Sequence, residues 1–434
     1  MKKLVLFMVA VVLCVAVLAA CGSDSSDNSG ETGDVQTTNG DTQETVDDFQ
    51  TTNAEETGNE ENPDEAQPTG HIHDLTEEMK GKVYKWVEFE VPEDLRQAAV
   101  DYMYEQASVE WICAESFGVK EEWEHWGINL DFQKGEKYTG QPYANSQVNV
   151  ALFKRVLKDG AYSSPSTSWD DVHGSQCVSS ILNALQQSFI IDGWSYSLNP
   201  GSESFDGIKV GDYKVEIKPV NQETPTLKVC EENGKDVIFD AYTKLQKGDT
   251  LITVNNWVHA RMVVDVTIVK NNAGVLNTRR SVVKCIEQTN AFDASRSDVK
   301  TTWRVDKVYT FEELFADGYL PATYEEFQTG ITHVPYITLD VENTPNVLAK
   351  GQLLGNVRSN YPLRYVVLEV FGENGEIVTE YTVRGLMNDY AYGLRKYSYN
   401  LFGDGLEKGN YTFVMTAGIA AGEVEFERIP FTVE

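Results

Sequence analysis

Cys177 lies in His173-Gly174-Ser175-Gln176-Cys177-Val178-Ser179-Ser180, a Gly/Ser turn that runs into an apolar-striped segment. Behind it Val178, Ile181, Leu182, Leu185 and Phe189 recur at the period of a helix with one buried face. The spacing predicts a core-packed helix with Cys177 in its first turn. There the free N–H groups and the positive end of the helix dipole favour thiolate over thiol. The same amides can receive a developing oxyanion. The chemistry such a thiolate supports is nucleophilic acyl transfer, which also requires a base. A small buried Cys capping a core helix is the bland alternative.

The base is sought in the β-patterned region downstream. Leu245-Gln246-Lys247-Gly248-Asp249-Thr250-Leu251-Ile252 reads as a turn entering a strand, and Trp257-Val258-His259-Ala260-Arg261-Met262-Val263-Val264 as a strand led by a His. A lone His beside an apolar run is often just a satisfied core residue. In this order it can instead hold the thiolate–imidazolium pair. A third strand, Val283-Lys284-Cys285-Ile286-Glu287-Gln288-Thr289-Asn290, ends in acceptors able to orient an imidazole. Strand alternation puts Glu287 and Gln288 on opposite faces, so only one can point at His259. The sequence leaves that choice open.

Around these residues the 434-residue chain is long enough for two or three domains. It holds 36 Lys+Arg against 67 Asp+Glu, a net charge of −31, so a phosphate backbone is repelled and no nucleic-acid partner is expected. Lys2 and Lys3 precede an apolar run from Leu4 to Ala20, which reads as an export signal over residues 1–20. Residues 21–70 are nearly devoid of apolar side chains and carry 14 acidic residues with no Lys or Arg, the composition of a disordered acidic tether. Periodic apolar character begins near Val83. Pro92-Glu93-Asp94 opens a helix carrying Leu95, Ala98, Ala99, Tyr102 and Met103 that runs on toward Trp111, with Cys113 in the same apolar helix. Strand patterns follow at Tyr213–Ile217, Thr250–Val254, Val258–Val269 and Ser281–Thr289, then a helix-like stretch at Thr310–Asp317. From Val334 short alternating runs (Tyr336–Val341, Tyr365–Phe371, Glu376–Val383, Tyr411–Ala417, Pro430–Val433) read as an all-β, Ig-like sandwich over 334–434. The fold class expected is thus α+β over 71–330, followed by the sandwich.

The signal's Leu18-Ala19-Ala20-Cys21 ending resembles the bacterial lipoprotein box, in which the Cys is lipidated. The resemblance implies a membrane anchor on Cys21 and an extracytoplasmic location. The Cys-bearing helix tip, the Gly-Asp turn, the strand-leading His and the polar residue on the next strand are similar in order to the NlpC/P60 and CHAP families. The similarity spans roughly residues 138–290. It implies a papain-like domain, an antiparallel sheet packed on helices, that cuts amide bonds of cell-wall peptides. Carried over by position, Cys177 is the nucleophile, His259 the base, and Glu287 (CHAP style) or Gln288 (NlpC/P60 style) the residue that orients it. Tyr138, Tyr143 and Gln176 fall where such enzymes bind substrate, although a packed aromatic accounts equally for Tyr143. The chain departs from the family pattern at Gln176, usually Asp or Asn, and at Val178, usually Ser. Peptidoglycan peptide is the expected substrate, a monomer the expected state, and neither organic cofactor nor metal is expected. The rival function is a wall- or solute-binding lipoprotein with a degenerate domain, its sandwich presenting Tyr390, Tyr392, Tyr397 and Tyr399. Of the six cysteines, Cys14 lies in the signal and Cys21 at the box; export allows the other four, Cys113, Cys177, Cys230 and Cys285, to form disulfides.

Overall fold

The computed structural model describes residues 74–120, 128–191, 197–217, 225–255, 257–330, 333–385 and 389–434. The signal, Cys21 and the acidic tether lie outside the described residues, as do His71-Ile72-His73, a His-x-His pair without a second ligand pair at zinc spacing, and His125 between Trp123 and Trp126. In chain order the first unit contains β1 (Lys85–Glu88), α1 (Leu95–Ser108), β2 (Glu110–Cys113), β3 (Phe117–Lys120), β4 (Asn129–Phe132), β5 (Lys137–Thr139), β6 (Ala161–Tyr162), α2 (Cys177–Leu185), β7 (Ile208–Lys209), α3 (Thr226–Asn233) and α4 (Lys235–Thr243). There follow β8 (Thr250–Val254), β9 (Val258–Thr267), β10 (Val282–Gln288), β11 (Trp303–Thr310) and β12 (Leu320–Thr323). The second unit holds β13 (Tyr336–Leu339), β14 (Asn356–Ser359), β15 (Tyr365–Phe371), β16 (Ile377–Arg384), β17 (Ala391–Gly393), β18 (Gly409–Ile419) and β19 (Gly422–Val433). The protein is mixed α+β with mostly antiparallel sheets.

α1 begins where its sequence predicts, because the Asp94 side chain accepts from the Gln97 N–H at 2.9 Å and so satisfies an orphan donor of the first turn. It ends earlier than the apolar pattern suggests. Val109 turns extended, and Glu110–Cys113 alternates exposed and buried side chains, so Trp111 and Cys113 belong to strand β2 and not to the helix. The run Tyr213–Ile217 forms no strand. Tyr213 is instead a core residue whose hydroxyl donates to the Pro321 carbonyl at 2.8 Å.

A six-stranded antiparallel sheet, ordered β11-β10-β9-β8-β12-β7, forms the floor of the first unit. Helices α1 and α2 pack against each other and over β9 and β10. Every residue of α2 is buried, so it is a core helix on all sides. The C-terminal unit has two four-stranded sheets, β1-β13-β14-β17 and β16-β15-β18-β19, whose facing side chains share one apolar core. Its edge strand β1 comes from residues 85–88, well before the rest, so the chain crosses the expected boundary at 330–334. A buried Arg364 ties the units together: its Nη2 donates to the Gln147 carbonyl and, at 2.7 Å, to Asn183 Oδ1 on α2.

Candidate active site

The tip of α2 is held by short-range bonds that fix Cys177. Gln176 caps the helix, its Oε1 accepting from the Val178 N–H at 2.8 Å, while its own N–H donates to Ser179 Oγ at 2.9 Å. The preceding turn is strapped to residues 142–144: the Ser175 N–H donates to the Pro142 carbonyl, and Ala144 N–H to the Ser175 carbonyl. Gly174 is required by that approach, since a Cβ there would lie 2.1 Å from the Pro142 oxygen. The Cys177 thiol donates to Gln176 Oε1 at 3.3 Å and lies 3.9 Å from the carbonyl of Val258, the residue directly before His259. Cys177 is 2% exposed and His259 8%.

Sheet register delivers the partner of His259. Cys285 pairs with Val263 and Ile286 with Met262, so the next residue, Glu287, stands across from Arg261 and diagonal to His259. The pairing of β10 shifts on both sides of Cys285, a bulge that re-aims the strand's last side chains. Glu287 Oε2 meets His259 Nε2 at 2.5 Å and accepts from Arg261 Nε at 2.7 Å. Its Oε1 accepts from the Tyr309 hydroxyl on β11. The Arg261 guanidinium is sandwiched between the rings of Tyr309 (3.7 Å) and Tyr319 (4.0 Å).

Burial alone would push the Glu287 carboxyl up. The charges of Arg261 and His259 and the hydrogen bonds of His259 and Tyr309 outweigh it and hold Glu287 well below the usual carboxylate range. For Arg261 burial pulls downward, but Glu287 and the flanking tyrosines win and raise it. Tyr309 is raised by burial first and by the adjacent carboxylate second. At neutral pH Glu287 is therefore an anion.

Gln288 faces the other way, accepting from Ser175 Oγ at 2.7 Å and donating to the Gln141 carbonyl at 2.9 Å. Of the two residues left open by the sequence, Glu287 meets the His, and Gln288 anchors the turn that precedes Cys177. Tyr138 does not join them. It is a core residue on β5, stacked on Trp111 at 4.8 Å, its hydroxyl accepting from the Gln133 N–H. Tyr143 is buried beside the turn, bridged through its backbone to Ser175 and stacked on Trp169.

Cys113, Cys177, Cys230 and Cys285 are buried and none is in a disulfide. Burial pushes the Cys230 thiol up to about 12, and raises those of Cys285 and Cys113 as well. His173 lies against the Tyr162 hydroxyl at 3.3 Å; burial and then the positive Arg384 lower it to about 4. Among the described residues no group of three or more His, Cys, Asp or Glu is placed to hold a metal ion.

Sequence reasoning did not assign Arg261, Tyr309 or Ser175 to this cluster. Arg261 carried a legible signal, being a cation two residues from His259, and so on its face, within an otherwise apolar strand. Tyr309 and Ser175 carried none, since only the strand register and the turn geometry bring them in.

No family model and no curated protein matches the chain. Among solved structures it is similar to the dimeric latent form of PorU from Porphyromonas gingivalis, with 10% identity and a TM-score of 0.15, over 40% of this chain and 20% of that one. That likeness is too slight to carry an argument about fold or function.

Proposed function

We propose that the protein is a papain-like cysteine hydrolase of the NlpC/P60 or CHAP type that cuts amide bonds in cell-wall peptides. It would act outside the cytoplasm, tethered through a lipidated Cys21, with a C-terminal Ig-like sandwich. The observation that carries the reading is the His259–Glu287 pair on a strand whose preceding residue, Val258, has its carbonyl 3.9 Å from the Cys177 thiol.

The chemistry follows from those groups. With Nε2 committed to Glu287, Nδ1 is the ring nitrogen that serves the thiol. Cys177, having given its proton to His259, attacks the scissile carbonyl carbon. The C=O electron pair moves to oxygen, where N–H groups at the start of α2 stabilise it. The tetrahedral adduct collapses to a thioester as the imidazolium protonates the departing amine. His259 then takes a proton from water, whose oxygen attacks the thioester and releases the acid and the free thiol. Glu287 keeps the ring oriented throughout and stabilises its charged form.

Peptide release from purified peptidoglycan, or from a peptidoglycan-derived peptide, tests this. Activity that vanishes in Cys177→Ala and in His259→Ala supports the reading, and hydrolysis unchanged in both overturns it. Two observations favour a second reading, a wall-binding protein without turnover: Cys177 is almost fully covered, and Tyr399 is 72% exposed. Under that reading the chain binds peptidoglycan and Cys177→Ala binds it equally, with no product from either.

A further inference from the structure

Arg261 has no part in the bond changes above, yet it occupies the most constrained position around them. Its Nε bonds the same carboxylate oxygen, Oε2, that meets His259. Two tyrosine rings hold its plane, and the residue is 7% exposed. A guanidinium so deep in a sheet is costly unless it has a specific partner, and that partner is Glu287.

We propose that Arg261 is a positioning residue that half-neutralises Glu287, so that the carboxylate orients His259 without trapping it as a permanent imidazolium. The proposal rests on His259 being the base. A buried carboxylate with one cation beside it holds that cation charged; a base so held cannot accept the thiol proton. Sharing the carboxylate with a guanidinium removes most of that pull and adds a like charge near the ring. The imidazole then crosses between its two forms at a pH where it can exchange a proton with Cys177 and with water.

Several elements bring ionisable groups to the His259–Glu287 pair. On its own strand there is Arg261. From β10 come Glu287 and, further in, Cys285. β11 supplies Tyr309, bonded to Glu287, the segment before β12 supplies Tyr319, against Arg261, and α2 brings the Cys177 thiol to 3.9 Å from the Val258 carbonyl. β8, which pairs with β9 on its other side, has no ionisable side chain between Thr250 and Val254. Among the described residues Arg261 is thus the fixed cation of the set, and its removal acts on the ring both by freeing the Glu287 charge and by taking away a like charge.

The test is to titrate the imidazole of His259 by NMR in the full chain, alongside the pH dependence of Cys177 alkylation by iodoacetamide. Arg261→Met should raise the His259 midpoint by about one pH unit or more, and move the alkylation profile with it. Arg261→Lys, which keeps the charge, should return most of that shift. Glu287→Gln should lower the midpoint, because the guanidinium is then unopposed. Should Arg261→Met not fold, Arg261→Gln, which also removes the charge, makes the same comparison. A His259 midpoint within about 0.3 unit of wild type in the Arg261 variant that lacks the charge would overturn the proposal, whatever Glu287→Gln does. Failure of the functional reading looks different: alkylation of Cys177 would be indifferent to His259→Ala, whatever Arg261 does to the titration.

Discussion

The two units solve the problem of a buried sheet in opposite ways. In the C-terminal unit the paired strands β15 and β18 point Val366, Leu368, Val370, Phe413 and Met415 into a core with no charged group among them. In the first unit the paired strands β9 and β10 bury His259, Arg261, Glu287 and Gln288 amid Val263, Val283 and Ile286. Apolar burial stabilises wherever it occurs, whereas buried charges at best break even against apolar residues of the same shape. A sheet that buries His259 and Arg261 joined through the Glu287 carboxylate, with Gln288 bonded to the turn before Cys177, positions side chains at some cost in stability. The C-terminal unit also buries Arg364, bonded to Asn183, and Glu427, bonded to Asn343, so the contrast lies between the two strand pairs.

The largest expected effect lies at the point of that contrast. Cys177→Ala or His259→Ala should cut hydrolysis of a peptidoglycan peptide by about three powers of ten or more, with far-UV circular dichroism unchanged; a residual rate near wild type would erase the distinction between the units. Next comes the charge network. Arg261→Ala or Glu287→Ala alone should cost about 3–5 kcal/mol in urea unfolding, because each strands a buried charge, whereas Arg261→Met with Glu287→Leu should recover part of that loss, His259 and the Tyr309 hydroxyl still lacking their acceptor. In the apolar core Leu368→Ala should cost about 3 kcal/mol through a cavity, with no partner substitution able to restore it. If the paired substitution in the first unit fails to recover stability, the two cores obey the same rule after all.

A smaller effect is set by pH. His173 titrates at about 4 in the folded protein against an ordinary 6.5, so between those values the unfolded chain binds more protons. Stability from this group is complete above pH 6.5 and is lost as pH falls toward 4. His173→Gln should flatten the unfolding midpoint over that window, and Leu368→Ala should not. Glu287 acts with the same sign at lower pH: its carboxylate is favoured by the fold, so its contribution is present above about pH 4.5 and declines below it. Smallest of all, Tyr399→Ala, on the exposed rim of the second unit, should move stability by no more than about 0.5 kcal/mol.

Much of this arrangement could be read from the chain, and the unread parts share a physical cause. The stripe behind Cys177, the strands at Thr250–Val254 and Tyr365–Phe371, and the capped helix after Thr310 are local patterns, and local patterns survive folding. Trp111 continued the apolar count of α1, but Val109 switched the backbone to an extended path, which a periodicity cannot foresee. The choice between Glu287 and Gln288 depended on the register of β9 against β10 and on a bulge beside Cys285, both set by tertiary pairing. Tyr138 reads as a substrate residue only through its position in the family resemblance; the aromatic cluster around Trp111 claims it for the core.

The central claim is that one buried thiol of four is made reactive by an imidazole reaching it from the sheet. Mass-spectrometric mapping of the native chain after brief iodoacetamide treatment at pH 7 tests this most directly. Modification concentrated at Cys177, sparing Cys113, Cys230 and Cys285 and abolished in His259→Ala, is the result expected. Equal or negligible modification of all four thiols, or a Cys177 that reacts as fast without His259, would contradict it.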